Sequence, residues 1–239
     1  MHFVPIKQVE QQDIQSLHRI RSRLIHNRTA LINEIRGLSL EYGIVIPQGA
    51  SNVKKNLCSI INDNENELTA LSRELMQELY DELIKSYDNI KKLDKKIKII
   101  CKQNDSCCRI LEIPGVGELT ATAIVVAVPN ANEFKNGRHM SAWLGLVPRQ
   151  VSSGNKQVLL GISKRGDRYL RTLLIHGARA VLTRFKNIDN QYGKWLTDKK
   201  SEHSLNKAAV ALANKNARII WSILKTGESF NYNYQKAAA

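Results

Sequence analysis

Between Gln11 and Gly43, leucines recur every seventh residue at Leu17, Leu24, Leu31 and Leu38, with Ile14, Ile20 and Ile35 beside them. A seven-residue apolar repeat is the signature of a long helix with a coiled-coil seam. Tyr42-Gly43 ends it, Pro47-Gln48-Gly49 reads as a loop, and a shorter helix is predicted from Ser51 to about Asn62, before the break at Asn62-Asp63-Asn64. A second long helix follows, with an apolar stripe at Leu68, Leu71, Leu75, Leu79, Leu83, Ile90, Leu93, Ile97 and Ile100. Two helices joined by a compact connector form an antiparallel arm of about 45 Å, at 1.5 Å per residue. Its stripes either bury each other or leave a seam open to a second copy of the chain, so a homo-oligomer is one expectation.

After Cys108 the texture changes to glycines and small residues, as in a compact helical domain. Its last helices are predicted at about Asp167 to Phe185 and Leu205 to Lys225, with Trp195 and Trp221 packing, and Asn231 to Ala239 reads as a tail. The predicted fold is therefore mainly α: a helical arm at 11–106, then a domain at 107–230 that carries a helix-hairpin-helix at 107–128 and a small irregular or β-hairpin insert at 145–166.

Charge adds a partner to this picture. Lys and Arg number 36 against 22 Asp and Glu, a net charge of +14. Between Arg109 and Lys186 there are 12 basic and 4 acidic residues, so more than half of the excess sits in one third of the chain. Such a concentration points to a polyanion, and nucleic acid is the expected one. Cys58, Cys101, Cys107 and Cys108 show no zinc spacing and no disulfide framework, so no metal site is predicted. No signal peptide or membrane-length apolar run is visible, and the expected location is cytoplasmic.

Two segments carry candidate chemistry. In Ile113-Pro114-Gly115-Val116-Gly117, two glycines around one apolar residue allow a sharp turn and expose N–H groups at the start of the next helix. Gly115, Val116 and Gly117 are the predicted phosphate grip; Ala121 and Ala123 let two helices approach, and Ile113, Val116 and Ile124 join them. A tight structural turn is the bland alternative. The second segment runs from Val147-Pro148-Arg149 through Ser152-Ser153-Gly154 to Lys164-Arg165-Gly166-Asp167, with Asp167 placed to cap a helix bearing Arg168 and Arg171. Arg149, Lys156, Lys164, Arg165, Arg168 and Arg171 are candidate phosphate contacts, and an exposed serine among cations is a candidate nucleophile.

The run from Leu111 to Arg184 resembles the transposase domain of DEDD-type bacterial insertion-sequence transposases. The resemblance rests on Ile113-Pro114-Gly115-Val116-Gly117, Ala142-Trp143-Leu144-Gly145-Leu146-Val147-Pro148-Arg149, Ser153-Gly154 and Ile162-Ser163-Lys164-Arg165-Gly166-Asp167. The arm resembles the family's coiled-coil region, including Leu31-Ile32-Asn33-Glu34-Ile35-Arg36-Gly37. The resemblance implies an RNA-guided recombinase in which Ser153, with Ser152 as competitor, attacks DNA to form a phosphoserine link, with DNA and a guide RNA as partners. It also implies a RuvC-like domain whose acidic tetrad holds magnesium. Residues 1–10 resemble the linker after that domain, so the chain is expected to lack it, to bind no cofactor itself, and to be either incomplete as an enzyme or a binding remnant.

Overall fold

The computed structural model describes residues 8–153, 156–184 and 190–233. The described chain is mainly helical: α1 (Val9–Glu41), α2 (Ala50–Asn62), α3 (Ala70–Lys102), α4 (Asp105–Leu111), α5 (Glu118–Ala127), α6 (Gly137–Trp143), α7 (Arg168–Arg184), α8 (Gln191–Glu202) and α9 (Leu205–Thr226). One antiparallel sheet, β1 (Pro148–Ser153) with β2 (Lys156–Ile162), lies between α6 and α7. The chain divides into two compact units, one running to Lys96 and the other from Ile97. The division falls within α3, because Cys101 on its last turn already belongs to the second core.

In the first unit α1 and α3 run antiparallel. The Arg21 guanidinium donates to Asp94, and thirty ångströms or so further along, at about 1.5 Å per residue, Tyr42 and Ser72 share a hydroxyl hydrogen bond. Leu31, Ile32 and Ile35 from α1, Val53, Leu57 and Ile61 from α2, and Met76 and Leu83 from α3 form one buried cluster. The buried positions of α3 are Met76, Leu83, Ile90 and Ile97, spaced by seven, and Cys101 on its last turn. The predicted stripe is corrected at two places: Leu71 and Leu75 are 64% and 50% exposed. Neighbouring helical residues point about 100° apart, so once Met76 takes the inward place Leu75 faces out. The connector before α3 is pinned by Arg73, whose guanidinium donates to the carbonyls of Ile61 and Asn66 and to Asn66 Oδ1.

In the second unit α9 is the central helix. Ala208, Ala209, Ala213 and Ala217 line its buried face with Leu212, Ile220 and Ile223. These small side chains allow α7 and α6 to lie close against it. The α5 segment Thr120-Ala121-Thr122-Ala123-Ile124 is buried nearly all round, as expected of a helix without a polar face. Trp195 and Trp221 pack on this core as expected, and the Trp221 indole donates to Ala131 O at 3.0 Å. Among the described residues no helix is long and apolar enough to cross a membrane.

Candidate nucleic-acid interface and serine hairpin

The turn between α4 and α5 is built around Gly115, which sits at φ +88. Its backbone lies directly on α7: a Cβ on Gly177 would be 1.9 Å from Gly115 O, and one on Gly115 would be 2.9 Å from Gly177 C. Asn216 of α9 donates to Pro114 O at 2.9 Å, and the Tyr192 hydroxyl donates to Asn216 Oδ1. Ile113, Val116 and Ile124 are buried here, as the spacing suggested. Gly115 is thus held between α7 and α9, and the Val116 N–H donates to Ile113 O at 3.0 Å, inside the turn. Gly117 is the open member of the trio: it starts α5, is exposed, and a Cβ there would meet nothing. Glu118 occupies the first turn of α5, with Lys98 3.9 Å away. A carboxylate at the positive end of a helix partly satisfies the dipole that an approaching phosphate would use.

The second segment forms a β-hairpin, one of the two forms expected for the insert at 145–166. Its base is a crossing of two glycines. Gly145 sits at φ +70, and a Cβ on it would be 2.0 Å from Arg165 O; Gly166 sits at φ +91, and a Cβ on it would be 1.9 Å from Trp143 O. Backbone bonds from Ser163 N to Val147 O and from Lys164 N to Gly145 O continue the ladder down to that crossing. Asn214 of α9 donates to Leu146 O. Asp167 caps α7 as expected, its Oδ1 accepting from the N–H groups of Tyr169 and Leu170.

Arg171 is the buried pin of this base. It is 8% exposed, and its Nη1 donates to Leu144 O at 3.1 Å and Arg165 O at 3.3 Å. Sequence reasoning placed it with the phosphate contacts, because it follows Arg168 on the same helix; the structure turns it inward, onto carbonyls from both strands of chain entering and leaving the hairpin. Replacing it with methionine is expected to destabilise the chain by about 2–4 kcal/mol, since two carbonyls lose a charged donor. Denaturant unfolding of the two proteins checks it.

Arg149, Lys164, Arg165 and Arg168 are exposed around the hairpin base. The register shifts between Pro148 and Gln150: Leu160 and Gly161 of β2 stand opposite Arg149 alone, so the bulge lies on β2, where it bends the ribbon and raises its twist. Lys164 adopts a left-handed conformation, φ 55, as the chain leaves β2. Ser153 is exposed and ends β1, with Lys156 as its register partner; Ser152 pairs with Gln157. Lys156 thus stands opposite Ser153 across the ladder, while Arg149, Lys164, Arg165 and Arg168 belong to the base of the hairpin. Ser153 lies four residues beyond Arg149, about 13 Å along a strand. Gly154 and Asn155 lie outside the described residues, as do the side chains of Ser152, Lys156 and Gln157. Val151 and its partner Val158 are exposed on this ribbon, together with Leu159 and Leu160.

Sequence reasoning missed Gly177, Asn214 and Asn216. The signal for the two asparagines was present: they interrupt the alanine-rich inner face of a helix, where a polar residue must find a partner. Nearby, Lys215 stands over the Trp195 ring at 4.0 Å, and burial, with Arg218 adding to it, lowers its pKa to about 8.

Residues 107–194 match the family described as transposase IS116/IS110/IS902. The chain is 47% identical over 230 residues to a transposase for insertion sequence element IS1111A of Coxiella burnetii, covering 96% of this chain and 63% of that protein. It is 33% identical over 231 residues to a transposase for insertion sequence element IS1328 of Yersinia enterocolitica, covering 97% of this chain and 68% of that protein. The chain thus spans about two thirds of the length of these relatives. The match covers the turn at Gly115, the glycine crossing and the serine hairpin alike, and the chain belongs to the IS116/IS110/IS902 family of insertion-sequence transposases.

Proposed function

We propose that this chain is the DNA-handling part of an insertion-sequence recombinase and that Ser153 is its nucleophile. The observation that carries the reading is the placement of Ser153: exposed, at the end of β1, on a hairpin clamped at its base and lying inside the family match. In the step envisaged, Ser153 Oγ loses its proton and bonds to phosphorus. The bond from phosphorus to one sugar oxygen breaks, and that oxygen takes up a proton. A phosphoserine diester links chain and DNA, conserving the bond energy for rejoining.

The separation of Ser153 from Arg149, Lys164, Arg165 and Arg168 shapes this reading. The base group would hold backbone phosphates, while the groups that activate Ser153 would come from another domain or chain. Among the described residues no group of three or more His, Cys, Asp and Glu could hold a metal ion, so no step through magnesium is assigned to this chain. The α4–α5 turn acts in this reading as a helix-hairpin-helix whose phosphate contact narrows to Gly117, and α1 with α3 act as a coiled-coil arm. The exposed pair Leu71 and Leu75 supports a homo-oligomer through that arm, and a guide RNA would supply target choice.

The test is formation of a denaturant-resistant chain–DNA adduct when the chain is mixed with element-end DNA, guide RNA and the acidic domain of a longer relative. Ser153→Ala is expected to reduce the adduct at least about a hundredfold, as loss of a nucleophile does, while Ser152→Ala retains it. An adduct that survives Ser153→Ala would remove the assignment. The alternative, a binding remnant, is favoured by the distance of Ser153 from the four cations at the hairpin base; it predicts no adduct with any variant but intact, salt-dependent DNA binding.

A further inference from the structure

The charges of α3 and its connector are segregated. From Asp63 to Glu82 there are seven acidic residues and one basic residue, Arg73, which is occupied inside the connector. From Leu83 to Lys96 there are five lysines and two aspartates, and one of those, Asp94, accepts from Arg21 across to α1. Lys85, Lys91, Lys92, Lys95 and Lys96 are all exposed, and among the described residues none of the five is in an ion pair. At 100° per residue, Lys85, Lys92 and Lys96 fall within about 40° of one another, roughly opposite the buried Leu83 and Ile90. Lys91 and Lys95 form a second row beside them, and the exposed Asp88 is the one acidic residue between the rows.

Solubility does not require this pattern. An arm kept in solution by charge mixes both signs, whereas here Lys91 with Lys95 and Lys92 with Lys96 are like-charge neighbours one turn apart, which weakens a helix. The helix dipole does not explain it either, because its attraction for cations is confined to the last turn, and these lysines precede that turn. From Lys85 to Lys96 the face extends about 16 Å, enough to follow four or five phosphates of one strand at about 3.4 Å each.

We infer that the outward lysine face of α3 is a second phosphate-backbone contact for double-helical nucleic acid, separate from the basic group at the hairpin base. It reads no sequence, and the acidic connector half of the arm repels the same ligand, which fixes where along α3 a duplex can lie.

The experiment uses the full chain with all five lysines changed to glutamine, and arbitrary-sequence duplexes of about 25 base pairs, DNA and RNA, titrated between about 50 and 200 mM salt. The expected result is a salt slope smaller by about 2 to 4, at roughly 0.9 per phosphate contact, with an unchanged circular dichroism spectrum. In the unaltered chain, Lys85 to Lys96 should be protected by bound duplex from acetylation, read by mass spectrometry. Loss with both duplexes supports the inference, and loss with one names the nucleic acid. An unchanged slope, or acetylation equal with and without duplex, overturns it. Arg149→Gln with Arg165→Gln and Arg168→Gln is the parallel variant. If only that one loses slope, the arm contact fails and the hairpin reading stands; if only the lysine variant does, the hairpin reading loses its phosphate contacts and the arm contact stands.

Discussion

Alanine at Gly166 is expected to cost the second unit more than about 4 kcal/mol, most of the stability of a domain at the low end of the usual range of about 5–15 kcal/mol. Two effects add. The left-handed conformation at φ +91 penalises any side chain, and the new Cβ would stand 1.9 Å from Trp143 O, a separation that only backbone movement can relieve. Gly145→Ala meets the same obstacle from the other side, 2.0 Å from Arg165 O. Because both changes break one contact, the double variant should be little worse than either single one, a strong departure from additivity. Gly161→Ala on β2 is the control: a Cβ there meets nothing, and its effect should stay within about 0.5 kcal/mol. Equilibrium denaturation of the four variants decides the matter, and equal midpoints for Gly166→Ala and Gly161→Ala would refute the account.

The second large effect concerns Gly177. Glycine to alanine inside a helix normally stabilises by about 1 kcal/mol. Here the sign should reverse, to a loss of about 3 kcal/mol or more, because the added Cβ would be 1.9 Å from Gly115 O. Gly115→Ala should be similarly damaging, at φ +88 and against the α7 backbone. Gly117→Ala should leave stability unchanged, since nothing lies within 4 Å of its Cβ. A bulky or acidic residue at Gly117 therefore tests phosphate binding cleanly, whereas the same change at Gly115 would confuse lost binding with lost folding. Thermal unfolding beside DNA titration separates the two glycines.

The sequence carried the helical layout in some detail. The heptad of leucines and the Asn-rich break give the three helices of the first unit, and Asp167 is legible as a cap because its residue type and position leave it little else to do. What misled was degeneracy of meaning. Leu71 and Leu75 keep helical spacing, yet the register of α3 is set by Met76, a residue whose flexible side chain fills an inward place without advertising it. Arg171 and Arg168 are the same residue type one turn apart; burial alone sends the first onto carbonyls. Gly115 and Gly117 are indistinguishable as letters. Their difference is made by Gly177, sixty residues away, which nothing local announces. The candidate serine is legible by motif and a β-hairpin is one of the two forms its segment allows, but the distance of Ser153 from Arg149 and the other base cations follows only from the strand actually forming, which small polar residues do not dictate.

The crossing of Gly145 and Gly166 also sets the terms on which the hairpin can vary. Its two ends are joined by contacts that belong to the helical core, through Arg171 and Asn214, so the entropy of closing the intervening chain is met before any strand pairs. Loop-closure cost grows only logarithmically with length. The strands can therefore lengthen, shorten or exchange their apolar residues with little consequence for the domain beneath, and the reach of the ribbon becomes a quantity that selection can tune independently of folding.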